Sequence, residues 1–217
     1  MKMKNYLNRY AVLFFIGLIS SSSQVFAESK VDPYPNTISA QEAARLSLKD
    51  LERKYLDDRC GNSCLDLLRT EFNPKDPLTL AEQIVISRYT EVNVVENQRI
   101  MTAALMKLPN QSKLVFRGGS SKKFKVVRVG QIMQFDRMTS TSVNRSKAEE
   151  FITDQLLKIK TKTVKDIQHY SVVSEGEHLY LPGVKFRVDK ISTIKVDLSS
   201  EEEAKIQDVQ FVELTEI

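Results

Sequence analysis

The fold of this chain is decided where its hydrophobic spacing changes, at Lys113-Leu114-Val115-Phe116-Arg117-Gly118-Gly119. From this stretch onward, apolar residues recur at every second position, which is the spacing of a β-strand. Before it they recur at helical spacing, and this pattern ends at Pro109. The spacing and its capping residues predict three helices: about 40–57 after Ser39 and Glu42, a second opened by Thr79 and Glu82, and about 94–108.

The residues that follow this stretch are predicted to be mostly strands. Strands at 113–117 and 124–129 flank a turn at 118–121, and a short helix capped by Ser146 and Glu149 runs through Phe151. Further strands are predicted at 167–173, 177–181, 185–191, 194–198 and 209–214. Helices followed by strands predict an α+β domain with a largely antiparallel sheet.

The amino terminus has the three parts of a secretory signal peptide. A basic start is followed by the nine-residue apolar run 11–19 and by small residues up to Ala27, the expected cleavage position. A run of this length is far shorter than the roughly 20 residues that a membrane-spanning helix needs. We therefore expect a secreted protein with no membrane span, in which residues 1–27 are removed and 28–217 form a single domain.

Net charge and residue content limit the partners and ligands of this domain. Of the net charge of +4, three positive residues (Lys2, Lys4 and Arg9) lie in the leader, so the mature chain carries +1. A nearly neutral domain gives no electrostatic reason to expect a nucleic acid or an anionic membrane as partner. Two cysteines and two histidines are too few for a zinc cluster, so no metal is expected. Cys60 and Cys64 suit a small-loop disulfide in a secreted chain, and the alternative, a cysteine nucleophile, has no histidine base marked near it.

Three short motifs in the strand-rich half carry residues suited to chemistry. Arg117 ends a strand before two glycines, which places a bidentate cation where backbone can approach a phosphate closely. The hydroxyls of Ser140-Thr141-Ser142 alternate along a strand and can hold a carboxylate or a ligand. In Glu175-Gly176-Glu177 two carboxylates share one side if the segment is extended, and such a pair can stabilise an oxocarbenium-like centre. Each motif alone also fits a structural interpretation: a strand-end arginine, a polar sheet edge and a solvated acidic turn.

The ordered combination of these motifs, after a helical first half, resembles the Arg–Ser–Glu class of mono-ADP-ribosyltransferases, particularly the secreted bacterial toxins. Four further segments are similar to that family: 87–90 with Tyr89-Thr90, 108–118, 129–132 and 170–183. The resemblance covers roughly residues 80–191. It implies an N-terminal helical lobe packed on two mostly antiparallel β-sheets, with NAD bound in the cleft between them.

The resemblance also implies a role for each matching residue. Glu177 matches the catalytic glutamate that stabilises positive charge as the N-glycosidic bond of NAD breaks, and Ser140 matches the serine that positions it. Arg117 matches the arginine that anchors an NAD phosphate, and the backbone of Gly118 is expected to bind the nicotinamide amide. Glu175 matches the residue that meets the acceptor, and a glutamate there favours arginine. No metal takes part.

The resemblance predicts a secreted toxin-like transferase that moves ADP-ribose from NAD to an arginine of a target protein. Actin and small GTPases are among the targets of the family, and at this length we expect a separate component to deliver the chain into a cell. Two alternatives remain: an NAD glycohydrolase, and a catalytically silent binding module with the same fold. A second basic residue that binds NAD stays unassigned, with Lys158, Lys160 and Lys162 as candidates.

Overall fold

Four helices form the first part of the chain in a computed structural model, which describes residues 38–69, 76–126, 128–171, 176–198 and 206–217 (backbone only for 59–69). They are α1 (Ala40–Arg45), α2 (Leu48–Arg69), α3 (Leu80–Val92) and α4 (Gln98–Lys107). All described residues lie within one compact unit, Asp32–Ile217. None of the helices in the described ranges is long and apolar enough to cross a membrane. The leader lies outside these ranges.

The helix starts follow the capping residues of the sequence. Ser39 accepts a hydrogen bond from the Glu42 amide at 3.2 Å, as predicted. Thr79 and Glu82 form the predicted reciprocal box, with each side chain accepting from the backbone N–H of the other residue at 3.3 and 2.8 Å. The prediction of one continuous helix over 40–57 is wrong, because α1 ends before Ser47 and this residue caps a new helix. The third helix starts later than predicted, since Asn97 provides its cap.

In the described residues, nine strands and one short helix follow the four helices. The strands are β1 (Asn110–Gln111), β2 (Leu114–Gly119), β3 (Ile132–Gln134), β4 (Thr139–Ser142), β5 (Gln155–Lys160), β6 (Val164–Asp166), β7 (Glu177–Tyr180), β8 (Lys185–Asp197) and β9 (Ile206–Glu216), and α5 is Arg145–Glu149. They form one sheet in the order β1-β6-β7-β4-β2-β5-β9-β8-β3. Every pair is antiparallel except β5 with β9. The α+β fold with a mostly antiparallel sheet is therefore confirmed.

The ladder is weakest between β2 and β4. These strands are paired only at Phe116 and Ser142, whereas β2 pairs with β5 along its whole length, from Leu114 to Gly119. The expected two sheets are thus two groups of strands that meet at a single register pair. One group is β1-β6-β7-β4, and the other is β2-β5-β9-β8-β3.

Several strand predictions differ from the structure. Gly118 and Gly119 belong to β2 and not to a turn, and the described part of 124–129 is not a strand. Residues 167–171 form a turn where a strand was predicted, and α5 is capped by Asn144 and not by Ser146. The two strands predicted at 185–198 are one strand with a bulge between Val188 and Lys190. The sequence pattern did not predict β3, β5 or β6.

Two apolar clusters hold the helices and the strand groups in place. The first joins the helices to one strand group through residues such as Leu51, Ile100 and Leu179, all fully buried. The second fills the interior of the other strand group around Phe135, whose ring centroid lies 4.6 Å from that of Phe186. Each such side chain contributes about 1.5–3 kcal/mol by leaving water. The site described next lies where the strand groups meet.

Candidate active site

Arg117, Ser140 and Glu177 meet at the junction of β2, β4 and β7. Arg117 Nη1 donates a hydrogen bond to the Ser140 carbonyl oxygen, and Ser140 Oγ donates to Glu177 Oε1. The Glu177 residue is only 6% exposed. The three predicted residues are therefore linked in the order arginine, serine, glutamate, through the backbone carbonyl of Ser140 on one side and its hydroxyl on the other.

Strand register explains why Ser140 and Glu177 meet. Ser142 lies directly opposite Glu177, and Ser140 lies opposite Leu179, so alternation places both serines on the face that carries Glu177. Thr141 points to the other face, where its hydroxyl donates to the His178 carbonyl oxygen at 3.0 Å. This hydrogen bond supports the pairing of β4 with β7.

Tyr89 of α3 completes the cluster, although the sequence marked its helix without giving this residue a role. It is 5% exposed. Burial first, and then the Glu177 carboxylate, raise the pKa of the Tyr89 phenol to about 12, while Arg117 and a hydrogen bond with Ser140 act in the opposite direction. The phenol is therefore protonated at neutral pH and can donate a hydrogen bond within the site.

The Arg117 guanidinium is a buried cation with unused hydrogen-bonding capacity. Burial lowers its pKa, and the neighbouring Tyr89 and Glu177 oppose that shift. An arginine remains charged in such a setting. Its guanidinium carbon lies 5.3 Å from the centre of the Phe124 ring. Among the described residues no acceptor faces Arg117 Nε. Because an unpaired buried donor is costly, this atom indicates a place for an external acceptor.

Comparisons with known protein families and solved structures identify the family of this chain. The sequence model of the family described as NAD:arginine ADP-ribosyltransferase matches residues 87–205, more than half of the chain. The chain belongs to this family. It is an ADP-ribosyltransferase that uses NAD as its substrate. No curated protein sequence matches the chain.

Two solved structures of bacterial proteins show the same fold. Exoenzyme S from Pseudomonas aeruginosa, in complex with human 14-3-3 protein beta and bound to carba-NAD, is similar over 78% of this chain and 89% of its own, with 20% identity and a TM-score of 0.58. The type III effector XopAI from Xanthomonas axonopodis pv. citri is similar over 78% of this chain and 79% of its own, with 15% identity and a TM-score of 0.51.

Gly118, expected to bind the nicotinamide amide in this ADP-ribosyltransferase, is also tightly packed. The end of α5 and the residues after it cross β2 so closely that a Cβ on Gly118 would stand 2.1 Å from the Ala148 carbonyl oxygen. The backbone of the next residue, Gly119, accepts from the amides of Thr153 and Asp154 at 3.0 and 3.2 Å. Phe151 lies in the same segment and is 57% exposed. The Phe151 backbone lies beside Gly118, and the sequence indicated this residue only as a helix end.

Other predicted residues lie either outside the described residues or away from this cluster. Glu175 lies outside the described residues, as do the side chains of Cys60 and Cys64. Lys158 pairs with Phe116, so it lies on the face of the sheet opposite Arg117, where it forms an ion pair with Glu213 at 3.1 Å. In the described ranges no group of three or more metal-ligating side chains is found.

Proposed function

We propose that this ADP-ribosyltransferase transfers a single ADP-ribose from NAD to an arginine of a target protein, as a member of the Arg–Ser–Glu class. The hydrogen-bonded order Arg117–Ser140–Glu177 carries the proposal. This arrangement places one cation and one carboxylate at a single buried junction. A dinucleotide requires the cation for its phosphates and the carboxylate for the positive charge on its reacting ribose.

NAD fits this junction in three respects. Arg117 Nε is a buried donor without an acceptor among the described residues, and a phosphate oxygen would supply one. No residue of β4 is paired with Gly118 or Gly119, which leaves that edge of β2 for the nicotinamide amide. The exposed Phe151 ring offers an apolar face to the nicotinamide. That exoenzyme S is bound to carba-NAD supports this placement.

The site residues have separate tasks in the proposed reaction. NAD supplies ADP-ribose when its N-glycosidic bond breaks, and nicotinamide leaves with the electron pair of that bond. Glu177, held in place by Ser140, accepts a hydrogen bond from the nicotinamide-ribose hydroxyl and stabilises the positive charge on the ribose. Arg117 keeps the phosphate fixed, so the reacting carbon cannot move away from the carboxylate.

Glu175 would select the acceptor. A carboxylate accepts two parallel hydrogen bonds from a guanidinium and therefore orients an arginine toward the ribose carbon. One guanidinium nitrogen then bonds to that carbon and gives its proton to the Glu175 carboxylate. The proposal further includes secretion after removal of 1–27, the single domain 28–217, and protein targets such as actin or a small GTPase reached with a separate delivery component.

The experiment is the incubation of residues 28–217 with labelled NAD, with and without polyarginine and a cell lysate. The variant is Glu177→Gln, which keeps the size and hydrogen-bonding oxygen of the side chain but removes its charge. Losing one such electrostatic contact typically costs about 10²–10³ in rate. Glu42→Gln is the matched control, because Glu42 is a partly exposed glutamate of α1 and lies outside the site.

The outcomes separate the alternatives. Label on protein with wild type and Glu42→Gln, but not with Glu177→Gln, supports the transferase, and a hydroxylamine-sensitive linkage identifies arginine as the acceptor. Free ADP-ribose without labelled protein under all conditions would indicate an NAD glycohydrolase. If folded wild-type protein consumes no NAD, the proposal is wrong, and a binding module with the same fold remains.

A further inference from the structure

His178, the residue after Glu177, takes part in a buried polar cluster that the proposed reaction does not use. Its side chain lies on the opposite face of β7 from Glu177 and is fully buried. His178 Nδ1 is 3.0 Å from the Gly176 carbonyl oxygen. Its Nε2 is 3.1 Å from Lys113 Nζ and 3.6 Å from Asp166 Oδ2. Lys113 and Asp166 form an ion pair with each other at 3.4 Å.

The two nearest partners of the imidazole determine where its proton lies. A carbonyl oxygen only accepts, so Nδ1 must carry the hydrogen that faces Gly176. A lysine ammonium only donates, so Nε2 must present its lone pair to Lys113. The ring is therefore neutral and in the Nδ1–H form. Burial, together with the Lys113 charge, lowers the pKa of His178, against the opposing effects of Gly176 and Asp166.

The Gly176 peptide is fixed from two sides. Its carbonyl oxygen also accepts from the Val143 amide at 3.1 Å. Gly176 has a φ of +63°, a conformation that L-residues rarely adopt. A Cβ here would stand 2.9 Å from Val143 Cγ2, so the space excludes a side chain as well. Because Gly176 immediately precedes Glu177, the orientation of its carbonyl fixes the orientation of the backbone at the start of β7.

We propose that His178 is a positioning residue, which holds the Gly176 carbonyl so that the Glu177 carboxylate meets Ser140, and that Lys113 fixes the imidazole form that this requires. The inference rests on the proposed function of Glu177. It extends the site to the opposite face of β7. A purely structural role would affect stability alone, whereas positioning affects turnover and the ring proton.

The kinetic test uses NAD hydrolysis by His178→Leu, His178→Asn and Lys113→Met. His178→Leu removes the donor to Gly176, and we expect kcat to fall about 10-fold with the KM for NAD changed by less than about 2-fold, the effect of one lost hydrogen bond. His178→Asn can place an amide N–H where Nδ1–H was, and should recover most of the loss. Lys122→Met is the matched control for Lys113→Met, because Lys122 is an exposed lysine outside the cluster. Thermal unfolding identifies any variant that fails to fold.

A spectroscopic test needs no activity. The chain has two histidines, so long-range ¹H–¹⁵N spectra of protein labelled at histidine contain only two rings, and a His169 variant assigns them. We expect the proton of His178 on Nδ1 in wild type, and loss of this single form in Lys113→Met but not in Lys122→Met. We also expect faster hydrogen exchange of the Val143 amide in His178→Leu.

The two tests distinguish the two proposals. If wild type consumes no NAD, the proposed function is wrong, while the ring spectrum and Val143 exchange still decide the role of His178. A proton on Nε2 in wild type would overturn the positioning role whatever the activity. So would a His178→Leu protein that folds and keeps the wild-type kcat.

Discussion

Gly118 and Gly119 are neighbours in β2 and differ in what a side chain would meet. A methyl group on Gly118 would stand 2.1 Å from the Ala148 carbonyl oxygen and 2.8 Å from the Ile152 nitrogen. Both are backbone atoms, so no rotamer change can relieve the overlap. On Gly119 the nearest atom is 3.7 Å away, in the Phe124 ring, which is an ordinary contact. Gly118→Ala is therefore the test variant, and Gly119→Ala is its control.

Gly118→Ala must push the segment after α5 away from β2. Overpacking of this kind costs about 1–3 kcal/mol, and more where backbone has to move. For a domain of this size the loss corresponds to a fall in Tm of about 2 to 12 °C. Gly119→Ala should lie between no change and a gain of about 1 kcal/mol, because alanine restricts the unfolded chain.

The measurement is urea unfolding of both variants and wild type, followed by circular dichroism, with nicotinamide release measured on the same preparations. We expect Gly118→Ala to lose both stability and activity and Gly119→Ala to keep its stability. Equal stability of the two variants would refute the close packing of the segment 148–152 on β2. A stable but inactive Gly118→Ala would assign this residue to ligand binding alone.

Four further changes test other parts of the structure. Arg117→Lys should lower kcat/KM for NAD about 10- to 100-fold in nicotinamide-release assays, because lysine cannot replace the guanidinium fork. Tyr89→Phe, which removes one neutral hydrogen bond in the site, should lower kcat about 2- to 10-fold in the same assay. Glu216→Ala should lower the free energy of unfolding in urea by about 1–3 kcal/mol, since Glu216 is 3% exposed and accepts from two backbone amides. Its control, Glu213→Ala, removes a partly exposed ion pair and should lower it by under about 1 kcal/mol. Because burial lowers the pKa of His178 in the folded state, the unfolded chain binds a proton there first as the pH falls below 6.5. Stability should therefore fall between about pH 7 and pH 5 by at most about 1.4 kcal/mol per pH unit, and His178→Asn should flatten that slope in urea unfolding.

The helical half of the fold was largely predictable because its signals are local. Ser39 and Thr79 cap helices through contacts with residues three positions ahead, and such pairs are visible in the sequence. The break before α2 was missed, since Ser47 and Asp50 also form a cap but lie inside an otherwise continuous helical pattern. When a second helix start lies within a stretch of helical spacing, the spacing alone does not distinguish its capping residues from the polar face of one continuous helix.

The central strand β5 was missed because its burial depends on partners far along the chain. Gln155–Lys160 contains two lysines, which suggested a solvated segment. In the structure it lies between β2 and β9, and Lys158 is accommodated by Glu213, more than fifty positions away. Pairing across such separations leaves no local signal, and tertiary contacts override the composition of the segment.

The core of the candidate site was predictable and its surroundings were not. Arg117, Ser140 and Glu177 form ordered motifs that the family resemblance could locate. Strand register brings Ser140 to Glu177, and the Arg117 side chain reaches the Ser140 carbonyl oxygen. Tyr89 reaches the site from a helix, and His178 acts from the opposite face of its strand. Both lie in segments that resemble the family, but the sequence assigned neither residue a role, because that role depends on which groups the folded chain packs against it.

The contacts that build the site also join the two strand groups, and this determines which variant reports on chemistry. Strands β2 and β4 are paired only at Phe116 and Ser142. A second link between them is the hydrogen bond from the Arg117 side chain to the Ser140 carbonyl oxygen, which stands where a backbone hydrogen bond of the sheet would otherwise be. A change at Arg117 therefore loosens the junction as well as the proposed contact with NAD, so a loss of activity in such a variant would have two causes. Glu177→Gln retains a carbonyl oxygen that can accept from Ser140 Oγ, so the junction stays intact. Loss of turnover in that variant, at unchanged stability, isolates the charge of the carboxylate as the cause.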